Sequence, residues 1–373
     1  MTHSRRRANL RALLVAEDID VLLVSDLVNV RYLSGFTGSN AALLVYADGS
    51  ASVLATDTRY VTQAGRQSAD LDLVVDGACG RALIKQALTQ GAPTKGAPSG
   101  SGLRIGFESH VVTVDGHGLL AALVAECSGA ELRRCPGLVE KLRQIKDAGE
   151  LELLARACAV ADTALTALLE GGGLRAGRTE RDVAVELEML MVRHGADGPS
   201  FETIVAAGVN SAVPHHRPTT AVLTPGDFVK IDFGSLVGGY HSDTTRTFVL
   251  GSAQPWQREI YELVAAAQQK GCQALKPGTD LADVDAAART MIAAAGYGER
   301  FGHGLGHGVG LQIHEAPGIG PTAAGTLRAG SVVTVEPGVY LPERGGVRIE
   351  DTLVVGERAA ESLTRFPRDL ITI

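Results

Sequence analysis

Three of the ten histidines fall within Phe301–Pro317, at His303, His307 and His314, and glycine fills every second position from Gly302 to Gly310. Each interior glycine would cost a helix about 1 kcal/mol relative to alanine, so the stretch reads as extended. His303, Leu305, His307 and Val309 then share one face, opposite Gly304, Gly306, Gly308 and Gly310. A face without side chains lets another backbone, or a ligand, come close. Carboxylates that could meet these imidazoles lie elsewhere in the same half of the chain. Asp232 interrupts the apolar strand Val229–Phe233, and Asp243 lies on the strand that returns beside it. Glu336 ends the apolar run Val332–Val335, and Glu350 sits in the middle of Gly346–Asp351. Neighbouring acids resist burial unless a positive group lies between them, which a charged side chain or a metal could provide. One such acid usually holds an arginine or a turn. Four, together with the histidine–glycine stretch, favour a metal. Two Asp, two Glu and one His suit a pair of divalent cations such as Mn²⁺, Co²⁺, Fe²⁺ or Zn²⁺ better than a thiolate-rich structural zinc.

The elements that must position these residues are strands in the C-terminal half. Val205–Ala207 leads to the loop 210–218 with its His215-His216 pair. Phe228–Gly234 and Gly239–Leu250 form a hairpin across Gly238-Gly239, and strands Ser331–Glu336, Gly346–Asp351 and Thr352–Val355 close the chain. Two helices precede these strands. One spans Ala148–Glu170, capped by Asp147 with Glu150 as the capping-box partner, and carries an apolar stripe from Leu151 to Leu168. The other spans Glu180–His194. Two more, near 257–274 and 281–295, lead into Phe301.

The N-terminal half alternates in the α/β manner. A helix over 5–17 is followed by strands 20–25, 41–46 and 52–56. Tyr32–Ser39 reads as a glycine- and hydroxyl-rich loop, and Arg59-Tyr60 opens a helix. Residues 91–102 form a low-complexity Gly/Ala/Pro/Ser insert. A strand at 104–107 and a helix at 116–127 follow. The expected organisation is an α/β domain over 1–135, a linker over 136–147 and an α+β domain over 148–373.

Composition narrows the function. A net charge of −7 gives no reason to expect a nucleic-acid or acidic-lipid partner. No apolar run reaches membrane-spanning length, and Arg11, Glu17 and Asp18 interrupt any signal-peptide core. The five cysteines are scattered and lack CxxC spacing, so they read as reduced thiols of a cytoplasmic protein.

The runs Ile231–Gly234, His241–Phe248, His303–Glu315, Thr334–Tyr340 and Gly346–Thr352 together resemble the signature of the pita-bread (M24) metallopeptidases, across about residues 145–356. The resemblance implies a pita-bread catalytic domain and ligands at Asp232, Asp243, His307, Glu336 and Glu350, with Asp243 and Glu350 bridging two metals. It implies that His303 and His314 support the ligands and bind substrate, and that His215 is another substrate-side histidine, whereas His216 reads as ordinary. Arg348, two residues before Glu350, resembles a family arginine that balances the acidic ligands. By the same resemblance, one of two divalent ions (manganese first; cobalt, zinc or iron as alternatives) polarises the scissile carbonyl and a bridging hydroxide attacks it. Glu336 shuttles the proton, and His215 and His314 stabilise the oxyanion.

Methionine aminopeptidases lack the N-terminal domain. Tyr32–Ser39 and Thr56–Tyr60 instead resemble the creatinase/aminopeptidase P N-terminal domain. The whole pattern is most similar to short actinobacterial Xaa-Pro peptidases of the aminopeptidase P/prolidase branch. This implies peptide substrates with proline at the second position, and a homodimer. Some prolidases carry an arginine, suited to a dipeptide's carboxylate, where this chain has Gly318. That favours an aminopeptidase P-like reading over strict dipeptide specificity. The alternatives are an inactive pita-bread peptide-binding module and an aminopeptidase without proline specificity. Creatinase shares both domains but dispenses with the metal ligands.

Overall fold

The computed structural model describes residues 2–90 and 102–373, which form two compact units, 1–143 and 144–373. In the first, strands β1 (Val21–Val24), β2 (Ala41–Tyr46), β3 (Val53–Thr56), β4 (Asp72–Val75), β5 (Arg104–Phe107) and β6 (Glu131–Arg134) make one sheet in the order β4-β3-β2-β1-β5-β6. The β1–β2 and β2–β3 pairs are antiparallel, while β1–β5, β3–β4 and β5–β6 are parallel. Its helices are α1 (His3–Ala16), α2 (Leu27–Ser34), α3 (Val61–Gln67), α4 (Cys79–Gln90), α5 (Val114–Ala125) and α6 (Leu138–Arg143).

Three features differ from the sequence-based expectation. Tyr32–Ser34 is the last turn of α2 rather than loop. Asp26 caps that helix by accepting from Val28 N–H, and Gly35 ends it at φ 80°, a conformation glycine reaches without steric cost. The segment 136–147, read as a linker, contains α6, whose Leu138, Val139 and Arg143 are buried. The elements β4 and β6 went unforeseen because their side chains are mostly exposed and lack a period-2 apolar pattern. Of the expected low-complexity insert, residues 91–101 lie outside the described residues.

The second unit starts with α7 (Ala148–Glu170) and α8 (Glu180–Arg193). The capping box on α7 is present: Asp147 accepts from Gly149 and Glu150 N–H, and Glu150 accepts from Asp147 N–H. Strands β7 (Gly198–Pro199), β8 (Ile204–Ala207), β9 (Phe228–Phe233), β10 (Ser235–Val237), β11 (Tyr240–His241) and β12 (Thr244–Val249) follow. Next come α9 (Pro255–Ala274) and α10 (Leu281–Ala294), then β13 (Gly306–Gly308), β14 (Glu315–Ile319), β15 (Val332–Val335), β16 (Gly338–Leu341), β17 (Gly345–Arg348), β18 (Asp351–Val355) and β19 (Ala360–Ser362).

One sheet runs β12-β9-β8 and another β14-β13-β15-β18-β19. Val229, Ile231 and Phe233 enter the core with Leu165, Leu168 and Leu187 of α7 and α8. Val333, Val335 and Leu353 enter a second core with Val264 of α9 and Val284 of α10. Apolar alternation thus turns Lys230 and Asp232 together to the other face of β9. Among the described residues no helix is long and apolar enough to cross a membrane.

Candidate metal centre

Strand register gathers the acids. β9 and β12 pair with Asp232 opposite Thr245, so Asp243, just before β12, lies close to Asp232. β15 and β18 pair with Val335 opposite Asp351, which sets Glu336 and Glu350 side by side just past the paired ends. Glu350 therefore occupies the break between β17 and β18 rather than mid-strand. Its N–H donates to Thr245 C=O (3.1 Å) and its Oε2 accepts from Thr245 Oγ1 (2.7 Å).

The histidine–glycine stretch is extended only over β13, with a register shift between His307 and Gly308. Neighbouring backbone takes the space that Gly304, Gly306 and Gly308 leave. A Cβ on Gly306 would lie 2.0 Å from Thr334 O, and one on Gly308 would lie 2.4 Å from Ala316 O. The glycines thus serve strand packing. That packing seats His307, whose N–H donates to Thr334 Oγ1 (3.1 Å).

The candidate ligands converge. Ligand atoms of Asp243, His307 and Glu350 all lie within 4.8 Å of one another. His307 Nε2 is 3.5 Å from both Asp243 Oδ2 and Glu336 Oε1. Its Nδ1 lies 3.1 Å from Gly308 C=O, a partner that calls for an N–H, so the Nε2 lone pair is left to face the acids. Burial holds His307 down to about 4, which keeps the ring neutral, as a ligand must be.

Burial pushes the Asp243 carboxyl well up, and the Glu350, Asp232 and Glu336 charges add to the shift. Glu350 is pushed up by burial and then by Glu336 and Asp232. Burial raises Glu336 to about 8, against the opposing pull of Arg348. The Arg348 guanidinium, itself buried, is among the described residues the one cation hydrogen-bonded to a carboxylate of the cluster; Arg246 reaches only the Glu350 backbone carbonyl (2.6 Å). Arg348 donates to Asp232 Oδ2, to Thr245 Oγ1 (3.0 Å) and to Tyr340 Oη (2.8 Å). One cation among four acids leaves charge unbalanced, and the buried Asp232 Oδ1 has no hydrogen-bond partner. An oxygen-rich donor set with a spare buried carboxylate oxygen fits hard or borderline divalent cations.

The outer histidines differ from one another. His314 stacks edge-on against His307, with ring centroids 4.4 Å apart, and burial lowers its pKa. His215 and His314 line a cavity of about 280 Å³ with the five candidate ligands, where Phe201, Ile204 and Ile313 supply apolar wall. His303 already has both ring nitrogens engaged: Nδ1 with Gly304 C=O (2.8 Å) and Nε2 with Tyr340 Oη (2.9 Å). Since Tyr340 Oη also accepts from Arg348, the consistent proton order runs Arg348 to Tyr340 to His303 to the Gly304 carbonyl. His303 thus braces the arginine network. His216 lies 2.8 Å from Glu180 and serves loop structure.

Tyr340 and Thr245 drew no attention in the sequence. Thr245 had a usable signal, since it stands two residues from Asp243 on the same strand face. Tyr340 had none, because its contact with Arg348 is made across the β16–β17 pair.

Residues 152–357 match metallopeptidase family M24, and residues 6–145 match the creatinase/prolidase N-terminal domain. Over 355 residues the chain is 40% identical to the uncharacterized peptidase YqhT of Bacillus subtilis, covering 95% of this chain and 96% of that one. The solved Xaa-Pro dipeptidase from Bacillus anthracis superposes with a TM-score of 0.90 at 35% identity, covering 100% of both chains. The X-Pro aminopeptidase from Thermotoga maritima superposes at 0.85 and 32% identity, covering 95% of this chain and 98% of that one. This architecture, with its acid–histidine cluster, is that of a metallopeptidase. The chain belongs to metallopeptidase family M24, with a pita-bread catalytic domain preceded by a creatinase-type N-terminal domain.

Proposed function

We propose that this metallopeptidase cleaves the X–Pro bond at the N-terminus of peptides, with Asp232, Asp243, His307, Glu336 and Glu350 holding two divalent cations. The observation that carries the reading is the convergence of these five side chains, short of compensating charge, on one cavity with His215 and His314 at its wall. The names of the two solved neighbours support proline specificity. When bound, the cations supply Lewis-acid polarisation of the carbonyl and acidify water so that hydroxide is at hand near neutral pH.

The chain's own groups do the rest. Phe201, Ile204 and Ile313 give the proline ring an apolar surface and exclude water from it. His215 and His314 offer imidazole N–H groups to the oxygen that gains charge when the carbonyl becomes tetrahedral. The nitrogen of an X–Pro bond carries no hydrogen, so the departing proline amine must collect a proton. Glu336, whose carboxylate lines the same cavity, can take the proton released by the attacking water and pass it to that nitrogen. Arg348 fixes Asp232, and the His303–Tyr340 pair fixes Arg348.

Manganese is the first choice of metal, and a cytoplasmic homodimer is the expected form, on the family resemblance. Metal analysis of chelator-free protein, with X–Pro peptide hydrolysis followed before and after adding Mn²⁺, tests the function. About two metals per chain with restored activity is the expected result. A protein that neither binds metal nor turns over would sink the reading. Comparing X–Pro dipeptides with X–Pro–Y tripeptides then decides substrate length.

A further inference from the structure

Lys230 is fully buried on β9, two residues before Asp232 and on the same face of the strand. A lysine taken wholly out of water is costly unless its N–H groups are met. Its Nζ donates to two carbonyls of one loop, Val213 (2.6 Å) and Pro214 (3.2 Å), and stands 5.1 Å from the Tyr340 ring centroid. Arg348 Nη1 reaches the same Pro214 carbonyl at 3.2 Å. The next residue along the chain is His215.

The loop has little apolar anchoring of its own, since Val209 and Val213 are 58% and 47% exposed. Polar clamps hold it instead. After His215, Glu180 accepts from Thr219 N–H (2.9 Å) and pairs with His216 Nε2 (2.8 Å). Before His215, Asn210 donates to Glu180 (2.9 Å) and Ser211 Oγ accepts from Gly346 N–H (2.9 Å), while the two carbonyls nearest His215 are met by Lys230, with Arg348 sharing the second.

We infer that Lys230 is a positioning residue for His215: by tying the Val213 and Pro214 carbonyls to the strand that carries Asp232, it holds the imidazole at the cavity wall. The inference rests on the substrate-handling role given to His215 under the proposed function. Lys230 does not touch substrate. It sets the distance between a loop histidine and the acid cluster, and errors near 1 Å in such placements are costly to turnover.

The test is a double-mutant cycle on metal-loaded protein with an X–Pro peptide, using Lys230→Met, Lys230→Gln, His215→Ala and their combinations. Lys230→Met is expected to lower kcat on the order of tenfold with little change in KM and with wild-type metal content. In the His215→Ala background the same change should alter kcat by less than about twofold, because the interaction it serves is already gone. Lys230→Gln, which keeps an N–H donor, should retain more of kcat, and it carries the cycle if Lys230→Met is not recovered folded. In metal-free protein the His215 ring-proton signal should shift or broaden in Lys230→Met. An equal fold-loss in both backgrounds, loss of metal in the Lys230 variants, or an unmoved His215 signal would overturn the inference. If His215→Ala turns over like wild type, the role of His215 fails. If His215→Ala is crippled while Lys230→Met is not, the anchoring alone fails.

Discussion

Glu108 in the first unit and Glu350 in the second are equally buried, each 2% exposed, yet their surroundings differ in kind. Glu108 accepts from Ser25 N–H (2.6 Å), Asp26 N–H (2.8 Å) and Asn29 Nδ2 (2.7 Å), so both oxygens are occupied. Glu180, within the catalytic unit, is similarly saturated: burial raises its pKa, but donors from Ala207, Asn210, His216 and Thr219 outweigh that and lower it. Glu350 receives a side-chain donor from Thr245 and faces three other acids. Burial alone therefore does not mark a site. A shortage of donors among mutually repelling acids does, because such an arrangement lacks a positive partner that a cation can supply.

The sharpest way to break this contrast is Asp243→Ala. It should lose metal and activity together, with kcat/KM down on the order of a thousandfold or more, read by metal analysis and X–Pro peptide hydrolysis. His314→Ala should keep its metal but lose turnover by about a hundredfold, the scale of one oxyanion donor. Full activity in that variant would remove His314 from substrate handling.

A third test uses pH. In chelator-treated protein Glu336 sits near 8, above its unfolded value of 4.5, so the folded state holds a proton the unfolded state has released. That contribution to stability is complete below the unfolded value and is lost as pH rises through about 8. The opposite contribution of the lowered His303 and His307 is finished above 6.5. The thermal midpoint of metal-free protein should therefore fall from about pH 6.5 to about pH 8.5, and metal should suppress the fall. A flat metal-free profile would mean the acids are already compensated.

The smallest effect is expected at Glu108. Glu108→Gln turns an amide group towards donors that want an acceptor, and should cost about 1–3 kcal/mol in denaturant unfolding while metal content stays as in wild type. Loss of metal from that variant would blur the distinction between the saturated acid and the unsaturated ones.

Much of the site was legible in the chain because strands announce themselves by alternation. Asp232 stood out as a charge within Phe228–Phe233, and Glu336 as the acid that ends Val332–Val335. The Asp147 cap and its Glu150 partner were legible because capping is a contact between residues three apart. Elements with exposed or unpatterned faces, such as β4 and β6, were not, and the end of α2 was hidden by the glycines and hydroxyls that follow it.

The inventory is written in the order of residues: four acids and one histidine along the chain, and the apolar alternation that turns Lys230 and Asp232 to one face of β9. Who meets whom follows from pairing between distant strands. Pairing of Val335 with Asp351 sets Glu336 beside Glu350, and pairing of Asp232 with Thr245 brings Asp243 to them. Contacts across strands distant in sequence also saturated His303 through Tyr340 and gave Lys230 the carbonyls before His215. Register and loop closure leave no local pattern to read, because they are settled by packing between segments far apart in the chain.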